Sequence, residues 1–214
     1  MFTCKLTRYD EIPGFYTFGH LEPEETADQP FYVPIIDDSG FWKIYSCSVI
    51  IDGVKTSRPK NTAIADTGTT LCLVDKATCE AIYAKIPGSK YDAASEGYIF
   101  PDNIDHDKLP AIEIGIGDPD IPGGEKTFSI YPRDLIFSAA SQGWIYGGIQ
   151  DRGSQGFDIL GDVFLKNLYA VDFSLSGSDS RFGNTRTRGL GLFSAKLDLS
   201  TQLTRRQLPV VKCG

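Results

Sequence analysis

Short apolar runs, each halted by a glycine, a proline or an Asp-Gly or Pro-Gly pair, limit this chain more than any other property of its sequence. The stretches "FTCKLTRY", "FYVPII", "WKIYSCSVII" and "AIEIGIG" are rich in β-branched and aromatic residues. Turn residues interrupt them before a long amphipathic helix can establish its period. Twenty-two Gly and twelve Pro in 214 residues supply that punctuation. The expectation is an all-β unit of many short strands with a few short helices. A chain of this length can build one substantial core or two small ones. No internal repeat, low-complexity tract or linker divides it.

The pattern assigns elements in order. "FTCKLTRYDEIPGFYTFGHL" reads as a hairpin around Pro13-Gly14, and "FYVPIIDDSGFWKIYSCSVIIDGVKT" as strands separated by Asp-Ser-Gly and Asp-Gly turns. "DKATCEAIYAKIPG" reads as a short helix with Asp75 as N-cap and Pro87-Gly88 as its stop. "YIFPDNIDHDKLPAIEIGIGD" reads as a loop leading into an alternating strand. "KTFSIYPRDLIFSA" and "GWIYGGIQ" give further strand and turn, and "FDILGDVFLKNLYAVDFS" a strand, a short helix and another strand. "GLGLFSAKL" is the last strand, and residues 199–214 are a tail appended to a unit spanning 1–198.

Composition narrows function by exclusion. Hydrophobic residues at 41% and charged residues at 23% describe a soluble globular protein rather than a disordered one. A net charge of −7 disfavours nucleic acid, and the basic residues of "RFGNTRTRG" and "TRRQ" read as solvated loop charges. No apolar run spans a bilayer and no signal-peptide core follows Met1, so no membrane partner is expected. The acidic balance is compatible with work in acid, where many carboxylates are protonated.

Five cysteines, at 4, 47, 72, 79 and 213, lack zinc spacing. Two readings stay open: Cys72–Cys79 and Cys4–Cys47 bridges, or buried free thiols. Asp102, Asp105 and Asp107 beside His106 lack the alternation and central Gly of a calcium loop, and His20 has no ligand partner at metal spacing. No metal and no cofactor are expected. There is no G-x-S-x-G elbow, phosphate loop or dinucleotide fingerprint.

One acid stands apart. In "AIADTGTTLCLV", residues 63–74, a run of small and apolar residues ends at Asp66, with Thr67, Gly68, Thr69 and Thr70 following. Gly68 is expected to permit a turn that other residues resist. The threonine hydroxyls and backbone N–H groups can hold a carboxylate ionised and fixed. Taken alone, Asp-Thr-Gly is an ordinary β-turn. About ninety residues later, Ile159-Leu160-Gly161 followed by Asp162 supplies a second element.

Together these resemble the C-terminal lobe of the pepsin-like aspartic proteases, most of all the secreted fungal members. In that family an apolar-apolar-Gly strand crosses beside the Asp-Thr-Gly strand as a psi-shaped loop. "MFTCKLTRYDEIPGFYTFGHLEP", "GFWKIYSCSVIIDG" and "AIYAKIPGSKYD" extend the resemblance over residues 2–197. It implies an all-β pepsin-like lobe, one half of the bilobal double-psi fold. It implies Asp66 as catalytic aspartate and Thr67 in the hydroxyl grip between lobes. Gly68 and Thr69 would bind substrate backbone and orient the carboxylate, and Ile64 and Ile159 would line an apolar subsite. Asp162 would be a helix-start or loop anchor.

The resemblance also implies a peptide or protein substrate, a secreted location and acid-pH endopeptidase chemistry. That chemistry needs two carboxylates sharing one proton. The family draws the first, and a flap tyrosine, from an N-terminal lobe that this sequence does not contain. Asp38-Ser39-Gly40 is a decoy, because Phe41 stands where the motif needs Ser or Thr. The expectation is therefore a chain supplying one of two aspartates, inactive alone, which associates with a missing N-terminal lobe or with itself. A two-copy site of the retroviral kind is the lesser possibility. The rival reading is a non-catalytic peptide- or protein-binding module descended from a protease lobe. The segment "SLSGSDSRFGNTRTRG" before the last strand, the tail after Leu197 and the cysteine positions depart from the family pattern.

Overall fold

The protein is described from a computed structural model, which covers residues 1–8, 13–25, 29–175 and 187–194. Within these residues the chain forms four sheets around one main hydrophobic core and carries only short helices. This is the all-β lobe expected, and its strands fall where the turn residues allow. Phe2–Lys5 and Phe15–Phe18 pair as the first hairpin, Phe2 opposite Phe18. Asp52 and Gly53, both at positive φ, turn Ser48–Ile51 into Val54–Ser57. "YIFP" is strand rather than loop: Gly97–Pro101 pairs with Trp144–Gly147 and Lys90–Asp92. The proposed tail, residues 199–214, lies outside the described residues.

Two sheets position the site. The first runs in the order Phe15–Phe18, Phe2–Lys5, Leu168–Leu175, Thr187–Ser194, Phe31–Pro34. The second runs Ile149–Asp151, Cys72–Val74, Asp158–Leu160, Thr62–Ala65, Lys43–Tyr45. In the second, Asp158–Leu160 lies parallel to Thr62–Ala65, with Ile159 opposite Ile64 and Leu160 opposite Ala65. It also lies antiparallel to Cys72–Val74. The strand thus runs between the two legs of the loop that carries Asp66, which is the psi-shaped crossing.

Gly161 makes the crossing possible. A Cβ there would fall 2.1 Å from the carbonyl oxygen of Thr69 and 2.3 Å from that of Leu71. Any side chain would push the crossing strand off the loop, so apolar-apolar-Gly at this point is a packing requirement. Helix Lys76–Tyr83 closes the far side: Asp75 caps it by accepting from Thr78 N at 3.0 Å, and Cys79, Ile82 and Tyr83 are buried. Tyr83 stacks on Tyr98 with ring centroids 4.6 Å apart and donates to Ile149 O at 2.6 Å. Its hydroxyl therefore does not carry an unmet polar group into the core.

The four described cysteines are free thiols, which corrects the bridged reading. Cys72 and Cys79 are fully buried and pack as small apolar groups in the main core. Cys4 sits in the first sheet, whereas Cys47 lies between strands of other sheets and turns its thiol to Asn61 O at 3.6 Å. Burial pushes all four thiols up, away from the reactive thiolate. Cys213 lies outside the described residues.

Candidate active site

Asp66 begins where its strand ends. Its N–H donates to Leu160 O at 3.1 Å, so the crossing strand fixes the aspartate's backbone directly. Oδ1 accepts from Gly68 N at 2.9 Å and Oδ2 from Thr69 Oγ1 at 2.6 Å. Each oxygen thus receives one bond from the loop and retains a lone pair for another partner. The loop is tied down in turn: Asp162 N donates to Thr69 O at 2.9 Å and Val163 N to Thr70 O at 3.0 Å.

Gly68 corrects a detail of the sequence reading. It is not among the residues at positive φ, so the turn does not demand glycine for its backbone angles. What glycine supplies is close approach, since a Cβ there would sit 3.1 Å from Asp66 Oδ1.

The carboxylate is half-buried, with Thr67 and Gly68 exposed beside it. A pocket of about 160 Å³ opens at Asp66 and Thr67, walled by Phe2, Cys4, Trp42, Ala65, Leu165 and Asp172, among others. Ile64 and Ile159 stand opposite each other in the ladder, and neither lines this pocket; Ala65 does. Tyr16 stands exposed on the adjoining hairpin strand, and burial chiefly, then Cys4, pushes its titration up.

Two further acids flank the site. Asp162 has a buried Oδ1 without a protein partner. Burial pushes its carboxyl up, Lys166 pulls it down and the charge of Asp66 pushes it up again. Asp172 shares the pocket and is buried, which raises its carboxyl to about 7 against the pull of Arg188 and the N-terminal ammonium. Neither acid is hydrogen-bonded to Asp66 among the described residues, so neither forms a shared-proton pair with it. Asp38 lies exposed at the tip of a hairpin loop, where its neighbour Asp37 accepts from Ser39 and Lys43. Asp105 caps the short turn His106–Lys108.

Sequence reasoning missed the pocket walls and a buried charge cluster behind the loop. Cys4 and Asp172 come from separate strands and Trp42 from the residue before a third, and nothing in their spacing joins them. The cluster had a signal: Asp158 interrupts the apolar run "FDIL". An acid inside a buried strand needs a cation.

The sequence matches the family described as Eukaryotic aspartyl protease over residues 1–184. It is 35% identical over 165 residues to Aspergillopepsin-1 of Aspergillus pseudoglaucus, covering 77% of this chain and 39% of that protein. It is 35% identical over 172 residues to Aspartic protease pepA of Leptosphaeria maculans, covering 79% and 39%. Over 166 residues it is 32% identical to Penicillopepsin-1 of Talaromyces stipitatus, covering 78% and 40%. The chain spans about two fifths of the length of the curated relatives it matches.

Proposed function

This chain belongs to the eukaryotic aspartyl protease family, and from that premise we propose that it is the C-terminal lobe of a secreted, acid-acting endopeptidase that supplies one of two catalytic aspartates. One observation carries the reading. Asp66 is presented at the edge of an open face, with each oxygen held by one loop donor and free to accept another. A carboxylate so held can take a proton from a water molecule as that water attacks a peptide carbonyl. The carbonyl oxygen needs a proton from an opposed acid, which an N-terminal lobe would supply. Two such carboxylates share a single proton because both cannot ionise at close range.

Thr67, Gly68 and Thr69 are assigned to the walls that orient substrate and carboxylate, and Ile64 and Ile159 to an apolar subsite completed by the other lobe. Among the described residues no acid is bonded to Asp66, and the isolated chain should show little or no cleavage at any pH.

The test uses the 214-residue chain and a two-lobed enzyme that includes it. The two-lobed form should cleave casein internally in acid, and Asp66→Asn should lower kcat by at least about a thousandfold, because an amide can neither act as base nor hold the shared proton. Cleavage that survives Asp66→Asn would overturn the assignment. A two-lobed form that binds peptides without cutting them would favour the binding-module reading. Asp66-dependent cleavage by the isolated chain would point to a site built from two copies.

A further inference from the structure

Asp158 opens the strand that crosses the Asp66 loop, and it is fully buried. Its Oδ1 accepts from Arg152 Nη1 at 2.5 Å. Its Oδ2 accepts from Arg58 Nη1 at 2.6 Å and from Asn61 Nδ2 at 2.8 Å. Arg58 Nη1 also reaches Asp75 Oδ2 at 3.2 Å, its Nη2 donates to Ser46 Oγ at 3.0 Å, and Arg152 Nη1 bonds Asn61 Oδ1 at 2.9 Å. These residues come from five places in the chain: the ends of the strands Lys43–Tyr45, Val54–Ser57 and Ile149–Asp151, the entry to Thr62–Ala65, and the cap of helix Lys76–Tyr83. Arg58, Asn61 and Arg152 converge on the Asp158 carboxylate, while Ser46 and Asp75 hold Arg58.

Stability does not account for this arrangement. Two guanidinium groups and a carboxylate lose much of their hydration here, and well-packed apolar side chains of equal volume commonly hold such a place as well or better. What the charges add is direction. Three donors, two from the turn 58–61 and one from the end of Ile149–Asp151, fit Asp158 at one position only, and a one-residue slip of its strand would turn the carboxylate to the opposite face. Two residues further on, Leu160 O receives the Asp66 N–H, and Gly161 then crosses the loop. A groove of about 460 Å³ lies over the cluster, lined by Arg58, Lys60, Asn61 and Arg152. Both guanidinium groups already bond aspartates, so no anionic ligand is assigned to it.

We propose that Asp158, clamped by Arg58 and Arg152, is a positioning residue that locks the register of the two strands presenting Asp66, so that loosening the clamp displaces the carboxylate while the lobe stays folded. The structural half of this statement stands on the cluster itself, and only its kinetic half rests on the proposed endopeptidase.

The test compares the 214-residue chain with Arg152→Ala and Asp158→Asn by amide hydrogen exchange. The Asp66 amide should exchange at least tenfold faster in both variants, while the amides of Cys4 and Val171 in the neighbouring sheet stay within twofold. An unchanged Asp66 amide, or equal acceleration at all three, would overturn the proposal in favour of a neutral or merely structural cluster. Arg152→Ala keeps the Arg58 bond, and it decides the question if Asp158→Asn does not fold. In the two-lobed enzyme, kcat should fall at least fivefold in Arg152→Ala with KM within twofold, and an unchanged kcat would sink the kinetic half. If Asp66→Asn leaves cleavage intact, the endopeptidase reading fails instead, and the exchange result still stands on its own.

Discussion

The strands around Asp66 and the hairpin that carries Phe2, Tyr16 and Phe18 are both short β-structure, yet they meet their surroundings in opposite ways. Around Asp66 the polar groups are largely satisfied from inside the lobe: the carboxylate by Gly68 and Thr69, its backbone by Leu160, and the acid behind it by two arginines. On the hairpin, Phe18 is 74% exposed, and Tyr16 and the nearby Phe41 are each 50% exposed. Phe2 bridges this patch to Trp42, with ring centroids 6.3 Å from both Phe18 and Trp42. The first region finishes itself. The second presents exposed aromatic area that its own neighbours, Phe2 beside Phe18 and Phe157 beside Phe41, cover only in part, the kind of surface that marks an interface. The proposed half-enzyme would divide in this way, with its chemistry prebuilt on one side and its assembly surface open on the other.

The sheet beneath the open face should be the pH-sensitive part. Asp172 titrates near 7 in the folded lobe, whereas an unfolded chain places it near the ordinary ~3.9. Below pH 4 both forms are protonated and nothing is lost. Between about pH 4 and 7 only the unfolded chain ionises, so stability falls as pH rises, by on the order of 4 kcal/mol in all. Above pH 7 the loss is complete and levels off. Urea melts across pH 4 to 7 should show this slope in the unaltered chain and a flatter one in Asp172→Asn. Equal slopes would mean that Asp172 does not set the difference between the two regions.

A smaller and opposite-sided effect is expected at the crossing strand. Gly161→Ala forces a methyl group onto the Thr69 and Leu71 carbonyls and should cost about 3 kcal/mol, the upper range for overpacking. Gly156→Ala is the control, because nothing lies within 4 Å of its added carbon. If the two substitutions cost the same, the claim that the crossing is closely packed fails. Thr69→Val keeps the shape but removes the 2.6 Å hydroxyl bond to Asp66. A charge-assisted bond of this kind contributes about 1.5 kcal/mol, so kcat/KM of the two-lobed enzyme should fall roughly tenfold. Kinetics within twofold of the unaltered enzyme would show that Gly68 N alone holds the carboxylate.

How far each region was legible follows from the same contrast. Asp66 and the helix cap at Asp75 announce themselves because local chemistry dictates them: a turn and an orphan N–H. The psi crossing was legible only by resemblance, since pairing of residues 63–65 with 158–160 is a long-range choice that no local pattern specifies. The thiols stayed ambiguous because cysteine spacing carries no information about which sheet each one enters. Gly68 was assigned for the wrong reason, as a turn angle rather than an approach distance. Asp172 drew no notice at all. In "YAVDFS" the alternation that buries Val171 points its neighbour to the other face, and only the sheet order shows that Phe2 and Leu190 flank it there.

The smallest effect on folding should come from the open face, and it tests the comparison most directly. Phe18 lies on a hairpin strand at the edge of its sheet, so replacing it removes little that the folded lobe has gained by burial. Phe18→Ser should change the stability of the monomeric lobe by less than about 0.5 kcal/mol, as at other surface positions. The same substitution should weaken association. A phenylalanine side chain buried at an interface contributes about 1.5 to 3 kcal/mol, which is tenfold or more in a dissociation constant. Sedimentation equilibrium of the isolated chain reads self-association, and titration with a separately produced N-terminal lobe reads recruitment of the other half. Loss of either at unchanged stability is the expected result. If Phe18→Ser destabilises the monomer as much as Gly161→Ala does, the ring belongs to the core and the face is not open. If neither association is present in the unaltered chain at any accessible concentration, the aromatic patch does not serve assembly, and the division between a finished and an unfinished region fails at this point.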